Sequence, residues 1–122
     1  MDDGNKIVVI DDNQDQLNFL TRLLSFHGYL PVVLTVKNDF LGEITSIDPK
    51  CVILDLMMPG MDGFSILKKI REHSILRTLP IIIYTGKFYD VDKKKAFALG
   101  ANSFIVKPAR GFTLIEEITK YV

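Results

Sequence analysis

Apolar residues gather along the chain in five short runs: Ile7 to Ile10, Pro31 to Leu34, Cys51 to Leu54, Ile81 to Tyr84 and Ser103 to Val106. Each is rich in β-branched or aromatic side chains, and four show little alternation, the pattern of strands covered on both faces. Between the runs the spacing changes to that of helices. Leu17, Leu20, Leu23, Leu24 and His27 make one stripe; Phe40, Leu41, Ile44 and Ile47 make a second. Phe64, Ile66, Leu67 and Ile70 form a third, Val91, Phe97 and Ala98 a fourth, and Leu114, Ile115, Ile118 and Tyr121 a fifth. Capping residues mark the expected starts: Asn13 or Asp15, Asn38, Asp62, Asp90, and Thr113 with Glu116 three positions on. Gly28 and Gly100 mark the ends of the first and fourth helices.

Strict alternation of strand and helix calls for parallel strands, right-handed crossovers and helices on both sheet faces. The expected class is therefore α/β, a doubly wound parallel sheet of five strands with five helices. Nothing repeats, no linker interrupts the pattern, and 122 residues suffice for one core, so residues 1–122 are expected to form one domain.

Composition narrows the function. Hydrophobic residues at 48% and charged residues at 25% describe a folded globular chain. Fifteen basic residues balance fifteen acidic ones, which argues against nucleic acid or an anionic membrane as a direct partner. The run Lys93, Lys94, Lys95 accordingly reads as a solvated helix face. A single cysteine excludes an internal disulfide framework and a cysteine-based zinc site. Cys51 itself reads as a small buried hydrophobe, and His27 and His73 as helix-end residues without metal-ligand spacing. The opening MDDGNK lacks the form of a signal peptide, and no apolar run approaches a membrane span, so a cytoplasmic location is expected.

In doubly wound sheets, function collects beyond the carboxyl ends of the strands. Those ends carry Asp11 and Asp12 after the first strand, Asp55 after the third, Thr85 after the fourth and Lys107 after the fifth. Taken singly, each is an ordinary solvated side chain or, for Asp12, a helix cap. Together they put three acids, a hydroxyl and an amine in one pocket. Two carboxylates about 4 Å apart repel by roughly 4 kcal/mol at an effective dielectric near 20, so such a cluster calls for a cation. Lys107 provides one charge. Oxygen ligands of this number suit Mg²⁺ with a phosphate oxygen, and the pocket reads as one that receives a phosphoryl group.

These residues lie in four segments, VVIDDN, VILDLMMPGMDG, IIIYTG and SFIVKP, and over nearly its whole length the chain resembles the receiver domain of two-component response regulators. The resemblance implies a flavodoxin-like receiver fold with strand order 2-1-3-4-5. It implies that Asp55 takes a phosphoryl group from the phosphohistidine of a sensor histidine kinase or phosphotransfer protein. Asp12 would bind Mg²⁺ directly and Asp11 through water, with Asp55 and the carbonyl of Met57 completing the ligands. Lys107 would pair with Asp55 and then with the phosphoryl group, toward which Thr85 would turn. The aromatic switch position falls on Phe104, and the output face, toward an effector domain or downstream protein, on Tyr89, Val91, Lys95, Phe104, Ile115 and Tyr121. The resemblance further implies slow self-dephosphorylation, a monomer or phosphorylation-dependent dimer, and a cis Lys107–Pro108 peptide.

Three departures stand out. Gly86 occupies a position usually held by alanine and should loosen its loop. Lys87 adds a cation beside the pocket, and Lys50 replaces an acid before the third strand. Competing readings are a phosphorylation-independent interaction module of the same fold, a phosphohydrolase of the haloacid-dehalogenase type and a flavin binder. The hydrolase expects a second acid where Met57 stands, and the three acids would repel a flavin phosphate.

Overall fold

The computed structural model describes residues 5–87 and 89–122, so the start of MDDGNK lies outside the described residues. Five parallel strands form the sheet: β1 (Lys6–Ile10), β2 (Leu30–Val33), β3 (Cys51–Leu54), β4 (Ile81–Thr85) and β5 (Ser103–Val106), in the order β2-β1-β3-β4-β5. Helices α1 (Gln14–Phe26), α2 (Phe40–Ile47), α3 (Gly63–Glu72), α4 (Asp90–Ala98) and α5 (Gly111–Thr119) connect or follow them. The expected class, strand order and helix number are those observed. An unforeseen antiparallel hairpin pairs Met57–Met58 with Met61–Asp62, turning at Gly60 with φ +70°.

Alternate side chains of each strand point to opposite faces. Ile7, Val9, Ile53 and Tyr84 pack with Leu20 and Leu24 of α1 and Leu114 and Ile118 of α5. Val8, Ile10, Leu54 and Ile83 pack on the other face with α2 and α3, whose Phe40, Ile44, Leu67 and Ile70 are buried. Complete burial of an aliphatic side chain contributes about 2 kcal/mol, so these continuous runs hold the strand ends firmly in place.

The helix boundaries show what local pattern left open. Asn13 caps α1 through its side chain, accepting the Gln16 N–H at 3.0 Å, and Asp62 caps α3 by accepting from Phe64 at 3.0 Å. Asn38 is not the cap of α2, whose cap position is Asp39. Asp90 lies within the first turn of α4, with Tyr89 before it, and Thr113 lies inside α5, which starts at Gly111 after Arg110. Gly111 sits so close to Leu23 that a Cβ there would come within 2.7 Å of a leucine methyl, so the first position of α5 is one where any side chain would have to displace Leu23. Gly28 and Gly100 terminate their helices with φ of +86° and +105°. The expected α4 stripe does not face the core: Val91 is 70% exposed and Phe97 44%, Ala98 is exposed, and Ala96 is the buried position. His27, placed on the α1 stripe, is exposed at that helix's C-cap. Cys51 is buried in β3, as expected.

Candidate functional site

The site follows from strand register. Ile10 of β1 pairs with Leu54 of β3, and the Asp55 N–H continues the ladder to the Ile10 carbonyl at 3.0 Å. Asp11 and Asp55 therefore leave adjacent strands side by side. Both are buried, whereas Asp12 is exposed. Across the sheet, Thr85 pairs with Val106 and its carbonyl accepts the Lys107 N–H at 2.8 Å, which brings the lysine to the same edge. The Lys107–Pro108 peptide is cis.

Side chains close the cluster. Oxygens of Asp11, Asp12 and Asp55 all lie within 4.8 Å of one another. Lys107 Nζ donates to Asp11 Oδ2 at 2.6 Å and to Asp55 Oδ2 at 3.3 Å, so its tighter partner is Asp11. The other oxygens are held by backbone: Asp11 Oδ1 accepts from Asn13 N–H at 3.0 Å and Asp55 Oδ1 from Met57 N–H at 3.1 Å. The buried Tyr84 ring walls the lysine, 5.4 Å from Nζ. Thr85 is fully buried, and its Oγ1 accepts from Lys87 N–H at 3.4 Å.

The charge count bears on what the cluster can hold. One ammonium against three carboxylates leaves two negative charges in a partly desolvated pocket, and the donors are all hard oxygens. A small divalent cation such as Mg²⁺ fits that donor set.

Among the remaining expected residues, Met57 is 52% exposed on the hairpin, and Phe104 is half-buried against the α2–α3 side of the core. Lys95 is exposed, and its Nζ lies over the Phe64 ring of α3, 4.4 Å from the centroid. Lys87 Nζ lies 3.6 Å from Asp92 of α4.

Sequence reasoning missed two features. Gly63 approaches the loop after β3 so closely that a Cβ would lie 2.5 Å from Leu56 Cα and 2.7 Å from the Asp55 carbonyl oxygen. A glycine directly after a helix cap was the available signal. On α1, Asp15, Asn18, Phe19, Arg22, Leu23 and Phe26 line an open groove of about 640 Å³, with Phe26 86% exposed. The spacing of Phe19, Leu23 and Phe26 could have shown it as an apolar stripe beside the buried one.

Comparison with known proteins agrees with this geometry. Residues 7–119 match the family model described as the response regulator receiver domain. The chain is 32% identical over 115 residues to the regulatory protein VanR of Enterococcus faecium, covering 94% of this chain and 48% of VanR. A second curated relative is covered over 18% of its length, so the chain spans less than half of either. The signal receiver domain of a DNA-binding response regulator (merR) from Colwellia psychrerythraea 34H superposes with a TM-score of 0.82 at 32% identity, over 94% of each chain. The chemotaxis protein CheY4 of Vibrio cholerae shares the fold, with a TM-score of 0.88 at 24% identity over 98% of this chain and 99% of that one. A match that runs from β1 to the end of α5 takes in every strand that delivers a residue to the acidic edge, and the chain belongs to the receiver-domain family of two-component response regulators.

Proposed function

We infer that residues 1–122 act as one phosphoacceptor unit, in which Asp55 takes a phosphoryl group from a phosphohistidine on a histidine kinase or phosphotransfer protein. The observation that carries this reading is the convergence of Asp11, Asp12 and Asp55 within 4.8 Å, with Lys107 bonded to two of them. A carboxylate oxygen of Asp55 attacks phosphorus, the new O–P bond forms as the P–N bond breaks, and the imidazole leaves with the electron pair and is protonated. The protein contributes position and charge.

Lys107 lies between Asp11 and Asp55 and follows the charge as it moves to the phosphoryl oxygens. Thr85, whose Oγ1 accepts the Lys87 N–H, keeps its hydroxyl proton to donate from the end of β4. Asp12, Asp11 through water, Asp55 and the Met57 carbonyl would hold Mg²⁺, which when bound neutralises phosphoryl charge. Slow hydrolysis of the acyl phosphate resets the protein.

Two surfaces fit partners. The α1 groove begins one turn beyond the acidic edge and offers the incoming kinase or phosphotransfer protein an apolar seat at Phe19 and Phe26. The α4-β5-α5 face carries output to an effector domain or downstream protein, with Phe104 as its switch and Tyr89, Val91, Ile115 and Tyr121 around it. The setting is cytoplasmic, and the protein is a monomer or a phosphorylation-dependent dimer; no helix among the described residues is long and apolar enough to cross a membrane.

Incubation with acetyl phosphate, with and without Mg²⁺, tests the reading. The expected result is Mg²⁺-dependent phosphorylation at Asp55, absent in Asp55→Asn. Binding of a partner with no modification under any condition would favour the phosphorylation-independent module, and sustained phosphate release over many turnovers would favour a hydrolase.

A further inference from the structure

Lys87 is a cation at the pocket rim that the transfer chemistry does not use. Its backbone N–H reaches Thr85 Oγ1, while its ammonium turns away to Asp92 in the first turn of α4, at 3.6 Å, and lies 5.9 Å from the Phe64 centroid. The side chain runs along an open groove of about 490 Å³ shared with Met57, Met58, Met61 and Asp62, on the hairpin that follows Asp55. Lys95 of α4 approaches the same Phe64 ring at 4.4 Å, and Phe64 follows Gly63, the residue wedged on the Asp55 carbonyl. The phosphoacceptor loop and α4 thus meet at one ring, reached by Lys95 from the last turn, and at one long ion pair in the first turn. Helix α4 is correspondingly light in apolar anchorage, with Ala96 its buried residue and Val91 and Phe97 exposed.

We propose that Lys87 is the latch between the acceptor site and α4: it holds Asp92 while Asp55 is free and exchanges that carboxylate for a phosphoryl oxygen when Asp55 is modified. The inference rests on the phosphoacceptor reading above. The exchange is favourable in charge terms. The pair is long at 3.6 Å and its lysine end is 36% exposed, against 14% for the Asp92 side chain, so salt partly screens it, whereas an aspartyl phosphate presents close to two negative charges and strong acceptors to a flexible lysine stem. Losing Lys87 leaves Asp92 unpaired in the first turn of a lightly anchored helix, so α4 opens more readily. Lys87 is a positioning residue here, not a catalytic one.

The test is hydrogen exchange of the α4 amides in the whole chain, before and after acetyl phosphate with Mg²⁺, at matched Asp55 modification measured by mass spectrometry. In the unmutated protein, modification should lower α4 protection at least about twofold to fivefold, since an exposed ion pair gives about that range and the Asp92 end of this one is mostly buried. Asp92→Asn should show that lowered protection without phosphodonor. Lys87→Met should show it too and respond no further to modification, and Lys87→Arg should restore the response. A Lys87→Met protein whose α4 responds as the unmutated one does would overturn the latch, and so would one that no longer accepts phosphate, since Lys87 would then belong to the transfer step. If the unmutated protein is not modified at Asp55, the phosphoacceptor reading fails and the latch fails with it.

Discussion

Lys107 Nζ lies 2.6 Å from Asp11 Oδ2, closer than its 3.3 Å to Asp55, although 96 residues separate the two along the chain. The ammonium therefore offsets the repulsion between neighbouring acids within the protein itself. Lys107→Met should destabilise the protein in metal-free buffer by about 2 kcal/mol, below the 3–5 kcal/mol of a fully buried broken pair because water reaches the site. Mg²⁺ should recover part of that loss by binding the native acids. Urea unfolding in EDTA and in magnesium chloride measures both, and an identical loss in the two buffers would contradict the picture.

Gly63 and Gly86 make a contrasting pair. A Cβ on Gly63 meets backbone atoms at 2.5 and 2.7 Å, whereas one on Gly86 meets only Met57 Sδ at an ordinary 3.9 Å. Gly63→Ala should cost about 2 kcal/mol and, by displacing the Asp55 loop, slow phosphorylation by acetyl phosphate. Gly86→Ala should be neutral or stabilising by up to about 1 kcal/mol, because it restricts the unfolded chain without a clash. Parallel denaturation and phosphorylation assays distinguish the two sites.

Burial in β3 pushes the Cys51 thiol up from its ordinary 9.0 to about 12. The folded protein should resist a disulfide reagent at pH 8 and react only as fast as it unfolds. The linkage has a definite sign: above about pH 9 the unfolded chain gives up the thiol proton while the folded chain keeps it. Stability should therefore fall as pH rises from 9 toward 12, by about 1.4 kcal/mol per unit from this group, and Cys51→Ala should remove that slope. Equal reactivity of folded and urea-unfolded protein would refute the burial argument.

Arg71 ties three segments together through oxygen acceptors: Gly100 O at 2.8 Å, Leu79 O at 2.7 Å and Asn102 Oδ1 at 2.8 Å. Partial burial lowers its pKa, and no carboxylate pairs with it among the described residues. Arg71→Met should cost about 3 kcal/mol by leaving the Gly100 and Leu79 carbonyls unmet, Asn102 Oδ1 keeping the Ile81 N–H, and Arg71→Lys should recover less than half because an ammonium cannot reproduce the planar fork. Chemical denaturation checks both values.

The order of elements and the acidic edge were legible from residue pattern alone. The runs from Ile7 and Cys51 are apolar on both faces and stop at acids, and in a parallel sheet the ends of neighbouring strands coincide. The α1 and α3 stripes and the Asn13 and Asp62 caps follow from spacing and local hydrogen bonding for the same reason: their causes lie within a turn of the residue concerned. What tertiary structure decided involves residues distant in sequence. Periodicity marks Val91 and Phe97 as apolar, but only the position of α4 over the sheet leaves them exposed, and only the nearness of Phe64 turns Lys95 toward α3. Leu23 packs where a side chain on residue 111 would stand, and the fold gives Lys107 to Asp11 as its nearer partner. A linear pattern records how each face is coloured; which surface meets it, and which charge answers which, depends on the chain closing on itself.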